Sequence, residues 1–325
     1  MFYLGIDVSK AKLDCMLFEA SSQKKKSKVV ANSAAGFKQL LEWLAKHGAA
    51  DAHVVMEPTG VYHENCAMAL SDAGMPVTLV NPARIRDYAK GTGYKNKTDK
   101  VDSAVLAQFG AKENPPLWQP PSLEARVLKA LLVRRDAIAE DLQREINRKE
   151  KAESTVTPAP ITRSIEDAIA FLESELAKLQ KMIDDHIDSN PDLKEMRRLL
   201  ETIPGVGPRV SAHVTSLFAA KKFKRAEHLS CYLGLAPVIK ESGTSVRGKP
   251  QMSKAGPGHL RKLLYMPAVV ATRFNPHIKA MYERLLARGK PKMSALGAAM
   301  RKLAHLCFGV VSSGKPYDGN FAHQA

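Results

Sequence analysis

The first 112 residues alternate between short apolar strands and amphipathic helices, and this order limits the folds open to the chain. Residues 2–8 place Phe2, Leu4, Ile6 and Val8 on one side, as a strand does. The order continues with strands in KLDCMLFE and KSKVVAN, a helix in GFKQLLEWLAKHG, a strand in AHVVME, a helix in GVYHENCAMALSDAG, a strand in MPVTLVN and a helix from about Asp99 to Lys112. The sequence therefore predicts a mixed α/β domain at the start of the chain.

Two proline-rich stretches divide the rest. ENPPLWQPP at 113–121 predicts a domain boundary, and STVTPAP at 154–160 predicts a turn after one long charged helix at 122–154. We therefore expect three regions. They are an α/β mixed-sheet domain compatible with a ribonuclease-H-like fold at 1–115, a helical coiled-coil region at 116–190, and a mostly helical basic domain at 191–325.

The middle region carries a heptad-like seam. The spacing of its apolar residues indicates either an intramolecular helical hairpin, which we favour, or a dimer contact. The residues of the seam are Ile165, Ile169, Leu172, Leu176, Leu179 and Ile183.

Positive charge is concentrated in the last region. The chain has 49 Lys+Arg and 33 Asp+Glu, of which 23 and 7 fall in residues 191–325, so the first 190 residues hold 26 of each. The excess of +16 therefore lies entirely in the last two-fifths of the chain. Such a field favours a polyanion, and nucleic acid is the natural partner, although a soluble protein can be basic without one.

Other classes of protein are disfavoured. The four cysteines, Cys15, Cys66, Cys231 and Cys307, are far apart and form no CxxC pair, which argues against zinc and against a disulfide framework. No run of 18 apolar residues is present, so we expect no membrane span. No secretion signal is visible, and we expect a cytoplasmic protein.

Four carboxylates stand where an α/β sheet forms sites. Asp7 and Glu57 fall at the carboxyl ends of predicted strands, and Asp99 and Asp102 are three residues apart on one helix face. Four converging carboxylates would repel one another unless divalent cations neutralise them, and Mg²⁺ is the natural partner, with two ions per site expected. Each acid also has a plainer interpretation, such as a helix cap for Asp99.

The basic region contains two candidate nucleic-acid elements. IPGVGPRVSAHV indicates a helix-hairpin-helix, in which Gly205, Gly207 and Arg209 would contact a phosphate, although an ordinary turn between helices fits the pattern too.

ESGTSVRGKPQMSKAG places the hydroxyls of Ser242, Thr244, Ser245 and Ser253 among cations. The cations expected to bind nucleic acid there are Arg247, Lys249, Lys254, Arg261 and Lys262. A serine in such a field either attacks a phosphate or only binds it. Tyr232 and Tyr265 offer other hydroxyls, and Tyr265 is expected to pack on a helix.

These segments together resemble a known family across nearly the whole chain. YLGIDVSKAKLD, VMEPTGVYHE, LVNPARIRDYAKGTGYKNKTDKVDSAVLAQF, IPGVGPRVSAHV, YLGLAPVIKESGTSVRGKPQMSKAGPGHLRKLLYMPA and MRKLAHLCFGV resemble, in order, the bridge-RNA-guided DEDD transposases of insertion sequences. The resemblance is weakest between about 113 and 190.

The resemblance implies a junction-resolvase-like fold for the first domain and a serine-bearing transposase domain at the end of the chain. It also implies roles that composition cannot give. Asp7, Glu57, Asp99 and Asp102 match the four acids of the family and are expected to bind Mg²⁺. Ser242 matches the family's essential serine, which is expected to attack the DNA backbone and form a 5′-phosphoserine link.

The resemblance also implies partners. They are double-stranded DNA of the element ends and target, an element-encoded guide RNA that selects sequence by base pairing, and further copies of the chain. The family pairs the acidic domain of one protomer with the serine domain of another, in a dimer or in a tetramer on DNA. A prokaryotic, nucleoid-associated location follows from the same resemblance.

Two other functions stay open from the sequence. One is a metal-dependent junction-resolving nuclease in which Ser242 only binds phosphate. The other is an RNA- or DNA-binding protein with a decayed catalytic domain, against which the intact set of acids argues.

Overall fold

The computed structural model describes residues 1–92, 99–239, 241–242, 246–247 and 251–321, and the side chains of Asp99, Lys100 and 241–247 lie outside that description. The chain divides into two compact units, Met1–Pro120 and Pro121–Ala325. Within the described ranges, no helix combines the length and the apolar character needed to cross a membrane.

The first unit is built on a mixed five-stranded sheet with strand order β3-β2-β1-β4-β5. The strand β1 pairs antiparallel with β2 and parallel with β4, so the first three strands form a meander and the last two continue in parallel. This confirms the mixed α/β domain predicted from the sequence. Its elements are β1 (Phe2–Val8), β2 (Lys12–Glu19), β3 (Lys25–Ala31), α1 (Ala34–Lys46), β4 (His53–Met56), α2 (Glu64–Asp72), β5 (Val77–Leu79), α3 (Pro82–Gly91) and α4 (Asp99–Glu113).

Both faces of this sheet are covered. On one face, Leu4 and Ile6 of β1 pack with Leu40 of α1 and Leu70 of α2, and all four side chains are fully buried. On the other face, the helix α4 lies across β1, β2 and β4. Because each strand alternates its side chains between the two faces, residues of β1 at odd positions face α4.

Gly5 permits α4 to approach the sheet very closely. A Cβ atom added at Gly5 would overlap the carbonyl oxygen of Ser103 and would lie 2.5 Å from the backbone nitrogen of Ala107. Further along, a Cβ on Gly110 would lie 2.7 Å from Cγ2 of Val55 and 3.1 Å from Cδ1 of Tyr3. The helix backbone thus lies directly on the strand, with small residues on both sides of the contact.

The proline-rich segment after α4 packs along the last strand. The Trp118 backbone N–H donates to the Val77 carbonyl at 2.7 Å, and the Thr78 hydroxyl donates to the Pro116 carbonyl at 3.0 Å. The His53 Nε2 atom lies 2.8 Å from the same hydroxyl, and burial lowers the pKa of His53. The segment therefore closes an edge of the sheet that would otherwise present unpaired backbone groups.

Two helices differ from the sequence prediction. The structure adds α3, whose N-cap Asn81 accepts from the Ala83 N–H, at a place where no helix was predicted. The helix α2 begins at Glu64 rather than near Gly60, because residues 60–63 form turns. Both differences concern short helices of nine or ten residues, where apolar periodicity carries little signal.

The second unit begins with a helical hairpin. The helices α5 (Leu123–Glu153) and α6 (Ala159–Asp188) pack on each other along their length. The seam of α6 faces α5, with Ile183 buried against Leu128 and Leu132. This confirms the intramolecular hairpin, and the dimer contact stays a prediction.

The rest of this unit is mostly helical around one apolar core, as the sequence predicted. Among the residues of this unit that the structure describes, four strands of two residues each interrupt the helices, and these short strands were not predicted. The elements are α7 (Pro191–Glu201), α8 (Pro208–Ala220), α9 (Ala226–Tyr232), β6 (Pro237–Val238), β7 (Glu241–Ser242), β8 (Val246–Arg247), β9 (Gln251–Met252), α10 (Gly258–Leu263), α11 (Tyr265–Phe274), α12 (Pro276–Ala287) and α13 (Lys292–Ser313). The core of this unit lies among α7, α8, α11 and α13.

Candidate active site

Asp7 and Glu57 lie side by side at one edge of the first unit's sheet. Ile6 of β1 is the Cα partner of Met56 of β4 in a parallel ladder. The residues that follow this pair are Asp7 in β1 and Glu57 directly after β4. They therefore lie next to each other at the carboxyl ends of the two strands. Both side chains are half-buried. By alternation, Asp7 shares the face of Gly5 and Glu57 the face of Val55, which is the face covered by α4.

The direction of α4 brings its first turn to the same edge. Ser103 lies over Gly5, and Gly110 lies over Tyr3, so the helix runs antiparallel to β1. Its N-terminal residues therefore point toward the end of β1 that carries Asp7. Asp102 directly precedes Ser103 and is half-buried, and Asp99 is the first residue of the helix, with its side chain outside the described set.

A fifth carboxylate joins this edge and was missed from the sequence. Asp14 of β2 is the Cα partner of Asp7 in the antiparallel ladder, so both side chains stand on the same face. Lys12 lies beside it, with Nζ 3.0 Å from Oδ2 of Asp14. Like charges placed directly opposite are destabilising, and the Lys12 ammonium group supplies a positive charge beside this pair. The signal in the sequence was the alternation of LDC in β2, which makes Asp14 the polar residue opposite the end of β1.

The chemistry of this edge suits a hard cation. Asp7, Glu57 and Asp102 carry carboxylate oxygens, the type of ligand that Mg²⁺ prefers, near the carboxyl ends of parallel strands. Among the side chains that the structure describes, which leave out Asp99, no three carboxylate, histidine or cysteine groups are close enough together to hold a metal ion. The pairing of β1 with β4 and the direction of α4 still bring Asp7, Glu57 and Asp102 to one edge of the sheet. The argument for Mg²⁺ depends on this shared edge and on the carboxylate oxygens of the three residues.

Ser242 lies on a ribbon of the second unit. The strands β6 and β9 pair with each other, and β7 and β8 pair further along the same segment, with Ser242 opposite Val246 and Glu241 opposite Arg247. We call residues 237–252 the serine arm. Lys249 lies outside the described residues, and of Ser242 and Arg247 only the backbone is described.

The base of the serine arm is fixed by two glycines and an arginine. Gly234, at φ +68°, lies close to the backbone that follows the serine arm, and a Cβ added to Gly234 would be 2.5 Å from the Ala255 carbonyl oxygen. Gly256, at φ +116°, lies against the Tyr232 carbonyl, which a Cβ there would overlap. The Arg261 Nη1 atom donates to the Leu233 carbonyl at 3.1 Å. Arg261, predicted to bind nucleic acid, thus has a structural role at the root of the arm.

The two glycines of the predicted helix-hairpin-helix lie between α7 and α8 in different surroundings. Gly205, at φ +103°, packs against α11, where a Cβ would lie 2.9 Å from the Pro267 oxygen and 3.0 Å from Cβ of Ala271. Gly207 is the exposed N-cap of α8, and nothing lies within 4 Å of an added Cβ. The first glycine is therefore required by packing, whereas the second leaves space for a ligand at the helix N-terminus.

Arg209 is held by an acidic residue of the helical hairpin. Its Nη2 atom lies 3.0 Å from Oδ1 of Asp136, which also contacts Nη1 of Arg135 at 3.1 Å. On the same carboxylate, Oδ2 lies 3.2 Å from Nε2 of the buried His213. Partial burial alone would raise the pKa of Asp136, but its contacts with His213, Arg209 and Arg135 hold that pKa well below its usual range. A nucleic acid that binds Arg209 would have to share it with this network.

We expect Asp136→Asn to lower the free energy of unfolding by about 1–3 kcal/mol at neutral pH, because His213 and Arg209 lose their anionic partner. A carboxyl group with a lowered pKa in the folded state stabilises the fold above its unfolded pKa, about 3.9, and loses that effect as the pH falls further. The difference between wild type and variant should therefore be constant near pH 7 and shrink below about pH 4. Urea unfolding across pH measures it, with the exposed Asp185→Asn as the matched control. Equal stability of wild type and Asp136→Asn at pH 7 would contradict the role of the network.

Lys254, Lys262 and Tyr265 are exposed. Lys254, at φ +54°, follows the arm, and its backbone N–H donates to the Gly234 carbonyl at 3.1 Å. Lys262 is exposed on α10. Tyr265 begins α11 and is exposed rather than packed as predicted, because it stands on the outer side of that helix. Tyr232 is half-buried beneath the Lys221 ammonium group.

Two family models match the chain. A transposase model described as DEDD and IS110 matches residues 4–155, which contain all four predicted acids. A second, the transposase IS116/IS110/IS902 family, matches residues 197–283, which contain Ser242.

Several curated proteins are similar to the chain. The pilin gene-inverting proteins of Moraxella bovis and Moraxella lacunata are each 34% identical over 322 residues, covering 97% of both chains. A probable family 20 transposase of Pseudomonas aeruginosa is 26% identical over 250 residues, covering 68% of this chain and 71% of the relative. With one family model over each part of the chain and relatives that match from end to end, this protein belongs to the IS110 family of transposases, enzymes that rearrange DNA.

Proposed function

We propose that this protein cuts and rejoins DNA through a 5′-phosphoserine intermediate on Ser242, with Mg²⁺ bound by Asp7, Glu57, Asp99 and Asp102. The observation that carries the proposal is the strand and helix register of the first unit. That register brings Asp7, Glu57 and the first turn of α4 to one edge and one face of the sheet. The serine lies on a separate ribbon in the basic second unit, as a nucleophile delivered to a phosphate would.

The first unit is proposed to be ribonuclease-H-like. Support comes from the antiparallel meander of β3, β2 and β1 followed by the parallel strands β4 and β5, and from the helices on both faces. In open sheets of this kind, sites form outside the carboxyl ends of the parallel strands, where Asp7 and Glu57 lie.

The covalent step conserves the energy of the phosphodiester bond. The Ser242 oxygen attacks phosphorus and loses its proton, the bond from phosphorus to the 3′ oxygen breaks, and the 3′ oxygen takes up a proton. The same hydroxyl, or that of another strand, reverses the step and releases the serine. A water-using nuclease could not rejoin strands in this way. Arg247, Lys249 and Lys254 would balance the charge of the phosphate in the transition state.

The four acids would hold two Mg²⁺ ions. Bound there, the ions would stabilise charge on the phosphate and on the attacking and leaving oxygens. The residues of the chain orient these ions, since Asp7 and Glu57 are fixed by the β1–β4 ladder and Asp102 by the close packing of α4 on Gly5. Lys12 would keep Asp14 from adding further negative charge to the pocket.

The proposed partners are duplex DNA, an element-encoded guide RNA and further copies of the chain. The relatives named for pilin gene inversion cover 97% of this chain, which supports inversion or transposition of a DNA segment as the outcome. Base pairing of the guide RNA would choose the sequence, while the protein holds backbone and shape. The acids of one protomer would act with the serine of another, in a dimer or tetramer, in the cytoplasm at the nucleoid.

Replacing Asp102 with asparagine tests the acidic site. We expect DNA binding to persist and Mg²⁺-dependent cleavage of an element-end duplex with its guide RNA to fall at least about 100-fold, because one anionic ligand is lost. The matched control is Asp87→Asn on α3, an exposed acid paired with Lys90 at 3.9 Å, which should cleave as wild type does. Cleavage by Asp102→Asn at the rate of the control would contradict a role for Asp102 in binding the metal, and an absence of cleavage by wild type would indicate a binding protein instead.

A further inference from the structure

The loop between α8 and α9 carries four cations in five residues. Lys221, Lys222, Lys224 and Arg225 are all exposed, whereas Phe223 is half-buried. Arg225 has one acidic neighbour, Glu227, with Nε to Oε2 at 3.7 Å, a pair that is exposed on both sides. The loop therefore presents a concentrated positive charge that this weak surface pair does little to neutralise.

An aromatic cluster fixes the shape of this loop. The Phe223 ring lies 5.8 Å from the ring of Phe218 and 5.6 Å from that of Tyr232, both in edge-on geometry. With Phe223 turned into the core, the lysines on both sides of it are directed outward. Such a loop is held by its own apolar contacts before any ligand binds, which reduces the entropy lost on binding.

Lys221 is held in place by the same cluster. Its Nζ atom lies 4.6 Å from the centre of the Tyr232 ring, within cation–π distance. The residue as a whole stays exposed, and partial burial of its ammonium group lowers the pKa of Lys221. This ammonium group is therefore positioned, unlike an ordinary surface lysine.

Tyr232 connects the loop with the serine arm. The Lys221 ammonium group lies over the Tyr232 ring, and the Tyr232 carbonyl oxygen lies against Gly256 at the base of the serine arm. Lys129 of α5 is close enough for its charge to act on the pKa of both Tyr232 and His259. The positive surface therefore continues beside the base of the serine arm. A strand of phosphates following the loop would thus run toward the root of the segment that carries Ser242.

We propose that Lys221, Lys222, Lys224 and Arg225, with Tyr232 and Lys129, form a binding surface for the phosphodiester backbone of a nucleic acid, which we call the α8–α9 surface. The proposal rests on a nucleic acid being the partner of this protein, and it assigns the contact to residues outside the acids and the serine. DNA and RNA share the phosphodiester chemistry, and the experiment distinguishes them.

Salt-dependent binding tests the α8–α9 surface. The full chain is titrated against labelled duplex DNA, single-stranded DNA and RNA of one sequence, by fluorescence anisotropy at several salt concentrations. The variant Lys221→Gln/Lys222→Gln/Lys224→Gln is expected to bind about 10- to 100-fold more weakly at 0.1 M salt. Its slope of log affinity against log salt should be shallower by about 2–3, because each phosphate contact contributes about 0.7–0.9.

The matched control removes the same charge elsewhere in the second unit. The variant Lys279→Gln/Lys290→Gln/Lys315→Gln changes three exposed lysines of α12, its C-terminal turn and the segment after α13. It should retain the wild-type slope. Equal losses in both triple variants on every nucleic acid would overturn the proposal, since the effect would then come from net charge. A loss confined to RNA, or confined to DNA, supports the surface and identifies its ligand.

Two substitutions of Tyr232 separate positioning from charge. Tyr232→Phe keeps the ring beneath Lys221 and should bind as wild type does, whereas Tyr232→Leu should weaken binding about 2- to 5-fold. Wild-type affinity in Tyr232→Leu, with its fold intact by thermal unfolding, would overturn the role of the ring.

Covalent adduct formation at saturating protein separates this proposal from the chemistry of Ser242. If the surface is wrong, binding by the lysine variant is unchanged and adducts still form. If the serine chemistry is wrong, wild type forms no adduct while the difference in binding remains.

Discussion

Ser242→Ala is expected to abolish covalent protein–DNA adducts and to reduce recombination by about 10⁴-fold or more, while leaving nucleic-acid binding intact. The reason is that the side-chain oxygen is the proposed bond partner of phosphorus, and alanine offers no replacement. The backbone of residue 242 pairs with Val246 in the serine arm, and alanine preserves that pairing. The measurement is a denaturing gel of labelled element-end DNA with Mg²⁺ and guide RNA, in which adducts migrate as protein-linked bands.

The control for this experiment is Ser253→Ala, which removes a hydroxyl next to β9 and keeps the Ser253 backbone N–H that donates to the Ala236 carbonyl at 2.9 Å. It should form adducts at the wild-type rate. Cleavage without adducts that persists in Ser242→Ala would instead identify a metal-dependent junction-resolving nuclease, in which the serine only binds phosphate.

Gly5→Ala should destabilise the first unit by at least about 3 kcal/mol, a severe effect for the addition of one methyl group. The added Cβ would overlap the Ser103 carbonyl and press on the Ala107 backbone nitrogen, so α4 would have to move away from the sheet. Backbone atoms cannot rotate aside as a flexible side chain does. We expect a lower urea midpoint for the first unit and a loss of metal-dependent activity, since α4 carries Asp99 and Asp102.

The matched substitution is Gly91→Ala at the end of α3, where nothing lies within 4 Å of an added Cβ. There the change should be neutral or stabilising by up to about 1 kcal/mol, as is usual for glycine in a helix. A Gly5→Ala protein with the same midpoint as Gly91→Ala would contradict the close contact between α4 and β1.

Much of the first unit could be predicted from alternation and order. Residues 2–8 alternate cleanly, and the strand-end positions of Asp7 and Glu57 followed from the pattern alone. The direction of α4 could not be predicted, because it depends on Gly5 and Gly110, whose missing side chains leave no periodic signal. Asp14 was missed for a related reason, since cross-strand register depends on the turn between the strands.

The second unit shows the limits of reading charge as function. Gly205 and Arg261 were both predicted to bind nucleic acid, and the structure gives each of them an intramolecular contact that accounts for the residue type. The serine arm was not predicted as strands, since pairs of two residues show no period. Lys221 lies in the region 191–325, where the sequence concentrates positive charge, but its position over the Tyr232 ring depends on tertiary structure.

The close seating of α4 on β1 has a consequence for engineering this enzyme. One helix both covers the core of the domain and carries two of the proposed metal ligands, so under the proposed function a substitution there would change stability and catalysis together. Libraries of variants selected for higher activity or thermostability should therefore leave the contact between α4 and β1 unchanged. Substitutions are better placed in exposed loops, where a changed residue can alter ligand binding without destabilising the fold.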